Sequence, residues 1–374
     1  MRIGMLGLKG IPFPAGIENF TEEVGWRLAA RGHELTVYVR PYVDVPNIYR
    51  GMRIRRAPSI ATKHLDALSH TFLASLDLLF ADLDVVHYHA LGPSVFSWVP
   101  RLRGLKTLVH VHGLDWQRAK WSRFASQCLK AAELSAMHFP HRTLAISDEL
   151  KRYLEANYHK RVDYVPTGVN RYGYREPREI AKWGLEKDSY ILFLSRLVPE
   201  KGCHYLIDAY NRLRSPQKRL VIAGPCTGEH AYCATLRQHA GPNVVFTDAV
   251  VGETLEELFS NAYIFVLPSE IEGLSHALLQ ALSHGRCVLA SDIAPNLEAL
   301  GECGVTFRSG DVSDLQRKLE HLLNDPGFVA DSGTRARDRV EQHYVWDRVV
   351  DRLESIYAEL CGIPMPHLAA SVAQ

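Results

Sequence analysis

The sequence predicts an α/β protein built from two doubly wound units in tandem, and three observations lead there. Short apolar, β-branched runs alternate with longer stretches of helical period, the form taken by parallel strands joined by crossover helices. That alternation breaks at Pro166-Thr167-Gly168-Val169-Asn170 and the polar stretch through Gly173 and Pro177, then resumes at Tyr190. A length of 374 residues exceeds one ordinary domain and falls short of three. The expected division is a first unit over 1–170, a second over 171–345, and a C-terminal helix and tail over 346–374.

Taken in order, strands are expected near 2–8, 34–39, 84–89, 107–112, 142–146 and 161–165 in the first unit. In the second they are expected near 190–195, 219–223, 244–247, 264–268, 288–291 and 304–307. The last helical stretch, 346–360, follows the final strand and is expected to pack back on the first unit. Ligands of such units collect at the carboxyl ends of the strands, so two units placed face to face would form a cleft.

Apolar residues at 47% and charged residues at 23% provide real cores and exclude disorder or a polytopic membrane protein. The net charge of +1 hides an asymmetry: residues 1–174 hold 23 basic and 15 acidic groups, the remainder 20 and 27. Opposed halves suggest different partners. The seven cysteines form no C-x-x-C pair and no zinc-like cluster with histidine, so reduced thiols and a cytoplasmic setting are expected, without a disulfide framework or structural metal. The N-terminal stretch has no basic leader before a long apolar run, and no segment is long enough to span a bilayer. No recognised motif accompanies the basic residues, which argues against a nucleic-acid partner.

Four segments at strand ends carry the chemistry. The first strand runs into Gly7-Leu8-Lys9-Gly10-Ile11-Pro12 and Ala15-Gly16-Ile17-Glu18-Asn19, glycines ahead of a helix whose exposed N–H groups favour an anion. Ser195-Arg196-Leu197-Val198-Pro199-Glu200-Lys201-Gly202 opens the second unit with two cations suited to a diphosphate and to stabilising it as a leaving group. Later, Pro268-Ser269-Glu270-Ile271-Glu272-Gly273-Leu274 leads into a helix carrying Gln280, eight residues beyond Glu272 and so about two helical turns away. His112 closes a strand of the first unit, and His87 and His89 alternate in another, where they share one face and either line the acceptor side or pack, with packing favoured; they do not have the i, i+4 helical spacing of a metal pair. No D-x-D pattern appears to hold a metal–diphosphate complex, so the cations are expected to do that work without a metal or cofactor.

Together, G-I-P…A-G-I-E, S-R-L-V-P-E-K-G, V-I-A-G-P and P-S-E-I-E-G-L-S-H-A-L-L-Q-A-L-S-H-G resemble the GT4 glycosyltransferases, retaining enzymes of the GT-B fold, over nearly the whole chain. The opening and His112-Gly113-Leu114-Asp115-Trp116-Gln117-Arg118-Ala119-Lys120-Trp121 look most like members that build bacterial surface polysaccharides, rhamnosyltransferase-like ones among them. The resemblance implies transfer from a nucleotide-diphosphate sugar to a hydroxyl of a glycan or lipid-linked acceptor. By position, Arg196 and Lys201 would bind the donor diphosphate, and Gly16 would lie by the phosphates or sugar. Glu272 takes the first place of the family's E-x7-E motif and would contact the sugar hydroxyls, with the Gly273 and Leu274 amides nearby. His112 would stand beside the donor sugar as a further catalytic residue.

The second glutamate of that motif, expected to hold the ribose, is Gln280 here. A neutral amide gives up part of a contact worth about 1.5–3 kcal/mol when ionic, so altered nucleotide affinity is expected. Ala15 and Thr167 are smaller departures, where the family often has Gly and Asn. Glu18 and Asp115 are the first-unit acids placed on the acceptor side. Gln280 also motivates a rival reading, a nucleotide-sugar-binding or scaffold subunit without activity. The basic, aromatic stretch 116–130, with Trp121 and Phe124, suggests peripheral contact with an anionic membrane surface carrying the acceptor.

Overall fold

The computed structural model describes all residues except 14, 63–64, 115, 117–122, 215–216, 229 and 365–374. The chain divides into two compact units, Met1–Thr167 with Trp346–Gln374, and Gly168–Val345.

In the first unit the strands are β1 (Arg2–Leu6), β2 (Glu34–Val39), β3 (Ile48–Tyr49), β4 (Met52–Arg56), β5 (Val85–His89), β6 (Lys106–Val111), β7 (Arg142–Ala145) and β8 (Asp163–Tyr164). They form one sheet in the order β3-β4-β2-β1-β5-β6-β7-β8, parallel except where β3 runs against β4. The strands β3 and β4 were not expected from the sequence. In β4, Met52 and Ile54 turn inward while Arg53, Arg55 and Arg56 face solvent, so an arginine-rich strand near the sheet edge lacks the apolar run that marks the central ones.

Both faces of this sheet are covered. On one, Ile3, Met5, Val85, Leu108 and Leu144 pack with Phe20, Val24 and Leu28 of the first helix, Gly16–Ala30, and with Trp346, Val350, Leu353 and Tyr357 of the terminal helix. The terminal helix, Trp346–Cys361, thus belongs to the first unit, as expected. Its apolar positions recur three and four apart, giving one stripe to bury. On the other face lies the helix Asp66–Asp77, where the hydroxyls of Ser75 and Tyr88 meet at 2.9 Å and Tyr38 donates to Asp77 at 2.8 Å.

The second unit contains β9 (Tyr190–Leu194), β10 (Arg219–Ala223), β11 (Val244–Asp248), β12 (Ile264–Leu267), β13 (Cys287–Ser291) and β14 (Val305–Phe307). All pair in parallel, in the order β11-β10-β9-β12-β13-β14. The chain winds outward from β9 in one direction and from β12 in the other, so the topological switch point falls between these two strands. Ile191, Phe193, Ile222, Val266 and Leu289 form the core with Leu206, Ile207, Leu315 and Leu319.

One expectation is corrected. Cys226 and Cys233 are joined in a disulfide, so the thiols are not all reduced. The loop after β10 folds back on the helix His230–His239, whose first turn carries Cys233, an approach that C-x6-C spacing alone does not announce. The other five cysteines are free, with Cys203, Cys287 and Cys303 buried. Among the described residues no helix is long and apolar enough to cross a membrane.

Candidate functional site

In the second unit the loops leaving β9 and β12 flank the switch point, and each carries expected site residues. Two glycines make these loops possible. Gly202 has φ +65°, and a Cβ there would stand 2.1 Å from the Pro268 carbonyl oxygen; Gly224 has φ +140°, and its Cβ would stand 1.8 Å from that of Ser195. No other residue fits such close backbone approaches. The two loops are also bonded directly, the Glu270 N–H donating to the Glu200 carbonyl at 2.9 Å.

This contact sets the cations and acids. Lys201 Nζ lies 2.7 Å from Glu272 Oε1, both side chains about a tenth exposed, and donates to the Ile271 carbonyl at 3.2 Å. Arg196 is half exposed, and Glu200 at 3.9 Å is its nearest ion-pair partner. One cation is therefore held in place by an acid and a carbonyl, while the other reaches outward with donors to spare. A guanidinium and an ammonium so placed can neutralise charge growing on a departing phosphate.

Gly273 and Leu274 lead into the helix His276–Ser283, capped by Ser275, whose hydroxyl accepts from the Leu278 N–H at 3.3 Å. Among the described residues neither the Gly273 nor the Leu274 amide donates a hydrogen bond, so two N–H groups precede the positive end of a helix. Gln280 Nε2 donates to the Tyr172 hydroxyl at 3.2 Å, leaving its carbonyl oxygen as the acceptor expected for a ribose. Tyr172 stacks on His284, with ring centroids 4.5 Å apart and planes within 11°. Burial, reinforced by Arg286, Arg337 and Arg175, pushes His284 down to about 3, so the stacked ring is neutral. Sequence reasoning missed Tyr172; its only signal is a tyrosine just past the break in the pattern.

A cavity of about 650 Å³, lined by Lys187, Asp188, Lys218 and Arg286 among others, opens where strands begin rather than where they end. It contains none of the expected site residues.

In the first unit Gly16 starts the first helix, and a Cβ there would meet nothing within 4 Å. The position that requires glycine is Gly7, at φ +99°, where a Cβ would lie 2.4 Å from the His89 carbonyl oxygen. Glu18 is buried and its Oε1 accepts from the Lys9 N–H at 2.9 Å, holding the glycine loop against the helix start. Asp115 and Trp121 lie outside the described residues. Trp116 donates to Glu133 at 2.8 Å, and Phe124 is exposed on the helix Arg123–His138.

His112 is half-buried just beyond β6, its Nε2 3.1 Å from His89 Nδ1 and its ring edge-on to Phe20. Burial, then the neighbouring rings of His110 and His89, hold it well below the ordinary imidazole range, so it is neutral near pH 7. His87 and His89 are fully buried and stacked at 4.3 Å, the packing role expected for them.

Comparison with known proteins bears on the family and the fold. The Glycosyltransferase Family 4 model matches residues 14–171 and the model for glycosyl transferases group 1 matches residues 188–325, together spanning most of the chain. The chain is 25% identical over 373 residues to the GDP-mannose-dependent alpha-(1-6)-phosphatidylinositol monomannoside mannosyltransferase of Mycolicibacterium smegmatis, covering 90% of this chain and 92% of that one. Its structure resembles sucrose-phosphate synthase of Thermosynechococcus elongatus, with a TM-score of 0.82 at 19% identity over 96% and 99% of the two chains. It also resembles Anabaena HepE in complex with UDP-glucose, with a TM-score of 0.79 at 17% identity over 96% and 100%. With paired parallel α/β units, family matches in each and a near full-length glycosyltransferase relative, the chain belongs to the family 4, group 1 glycosyltransferases and has the GT-B fold.

Proposed function

We propose that this glycosyltransferase moves a sugar from a nucleoside diphosphate donor to a hydroxyl of a glycan or lipid-linked acceptor, with retention of anomeric configuration, in assembly of a cell-surface polysaccharide. The observation that carries the reading is the Lys201–Glu272 pair beside Arg196, set at the carboxyl ends of β9 and β12. Two relatives support it by their names: one uses GDP-mannose on a phosphatidylinositol mannoside, and one was solved with UDP-glucose.

Departure of the nucleotide leaves positive charge on the sugar ring and negative charge on the β-phosphate, and both must be stabilised. Lys201 and Arg196 serve the phosphate. Glu272 keeps lone pairs beyond the one engaged by Lys201 and accepts from the sugar hydroxyls, while the Gly273 and Leu274 amides offer donors. Gln280 receives the ribose through its carbonyl oxygen, and His112 acts as a neutral hydrogen-bonding group at the sugar. The leaving phosphate takes the acceptor's proton on the same face, which retains configuration without a protein nucleophile. No metal is needed for these steps.

Arg196→Ala and Lys201→Ala should each lower turnover by about 10²–10³-fold with unchanged circular dichroism. Near-normal transfer by both variants would sink the assignment. NMR of the product's anomeric centre tests retention separately.

A further inference from the structure

In β5 and β6 the pairing sets His89 opposite His110 and His87 opposite Leu108, so His87, His89, His110 and, just past the strand, His112 share one face of the sheet. The first helix covers them with Phe20, edge-on to three of the rings, and the terminal helix brings Tyr357 to His87. His87, His89 and His110 are all fully buried.

Each of these three uses one ring nitrogen on the protein. His110 Nε2 lies 3.0 Å from the Val165 carbonyl, His89 Nδ1 3.1 Å from His112 Nε2, and His87 Nδ1 2.6 Å from the Tyr357 hydroxyl. Each leaves the other without a partner: His87 Nε2, His89 Nε2 and His110 Nδ1. A carbonyl can only accept, so His110 carries its proton on Nε2 and Nδ1 is a bare lone pair. If His89 donates to His112 and His87 to Tyr357, all three orphaned nitrogens are bare lone pairs. A buried acceptor left unsatisfied forfeits the hydration it had in the unfolded chain, so each of the three favours a partner. One nitrogen from each ring lies within 4.8 Å of those from the other two.

We propose that His87, His89 and His110 form a buried three-imidazole site for a first-row transition-metal cation, zinc or copper, that ties β5 and β6 to the terminal helix. Each imidazole is oriented through its second nitrogen, the arrangement that fixes tautomer in metal-binding histidines. A donor set of nitrogen alone suits zinc and copper and does not suit magnesium or calcium, which take oxygen. Bonds of about 2.0–2.1 Å require the rings to draw together on loading. With no exposed ligand, the ion enters during folding. His89 links this site to His112 by one hydrogen bond, but none of the three ligands belongs to the proposed diphosphate site, and the metal site stands whether or not the proposed donor and acceptor are right.

The test uses full-length, tag-free protein produced with added zinc or with added copper, and refolded from denaturant with each metal alone. Elemental analysis after gel filtration against EDTA should find about one zinc or copper per chain. X-ray absorption should show a nitrogen-only first shell, and metal-free protein should melt at lower temperature. His87→Phe and His110→Phe should lose the metal. Should those variants fail to fold, wild-type stoichiometry and its ligand shell decide alone. Folded wild type with less than about a tenth of an equivalent of both metals, a sulfur scatterer in the shell, or full retention by the folded His87→Phe and His110→Phe variants would overturn the site.

Discussion

Glu272 shows how one side chain is set by its neighbours. Its carboxylate sits 2.7 Å from Lys201 in a setting that leaves each only about a tenth exposed, so each orients the other before any ligand arrives. Glu272→Gln keeps the shape and an acceptor oxygen but removes the charge. The proposed role predicts a fall in kcat of about 10²-fold with a smaller change in donor KM, read from steady-state kinetics, whereas a purely structural pair would lower the melting temperature and spare kcat. Gly224 is the other decisive residue. Gly224→Ala places a Cβ against the Ser195 backbone oxygen, which side-chain movement cannot relieve, and should cost about 2–4 kcal/mol in denaturant unfolding. The motifs made Arg196, Lys201, Glu272 and Gln280 legible because their order follows the chain. Tyr172 was not legible, because its contact with Gln280 spans 108 residues and leaves no local pattern.

Among elements, the terminal helix has the least local reason for its position and a strong tertiary one. Arg31 Nη1 meets Asp351 and Glu354 at 2.7 Å each, and His33 Nε2 lies 2.7 Å from Glu354 Oε1. Burial alone would raise Glu354, but hydrogen bonds from His33 and Arg31 outweigh it and hold the carboxyl below its usual 4.5. A depressed folded-state value means the stabilisation is full above the unfolded carboxylate range and disappears as pH falls through the folded value. Glu354→Gln should therefore cost about 1 kcal/mol at pH 7 and progressively less below pH about 4.5, measured by urea unfolding across that range. A cost that stays constant with pH would place the stabilisation elsewhere. The amphipathic stripe of this helix was readable in the sequence. Its partner surface was not, since Trp346 and Phe20 come together only when the chain returns to the first unit.

For the whole molecule, the opposed charges of the two sequence halves now have a context. The diphosphate-binding cations proposed here belong to the net acidic part, so bulk charge is a poor guide to donor binding. The basic part suits the proposed anionic membrane carrying the acceptor, and Phe124 is exposed on its helix Arg123–His138. Binding to anionic liposomes should be strong at low salt and fall steeply as salt rises; absence of binding at low salt removes that proposal. Thermal shift against UDP-, GDP-, dTDP- and ADP-sugars should single out one base, with a smaller shift for Gln280→Ala if Gln280 holds the ribose.

The sequence by itself determined the alternation of strands and helices, the break near residue 170 and the site motifs, because each is written in neighbouring residues through periodicity, turn chemistry or spacing. It did not reveal the arginine-faced strand β4, whose inward side chains are few, or the Cys226–Cys233 bond, which depends on a loop's return path. Only the tertiary structure decided that Lys201 meets Glu272, that Gln280 meets Tyr172, and that four histidines from two strand ends line one face. Those outcomes rest on register and strand order, which bring distant segments together after local structure has formed.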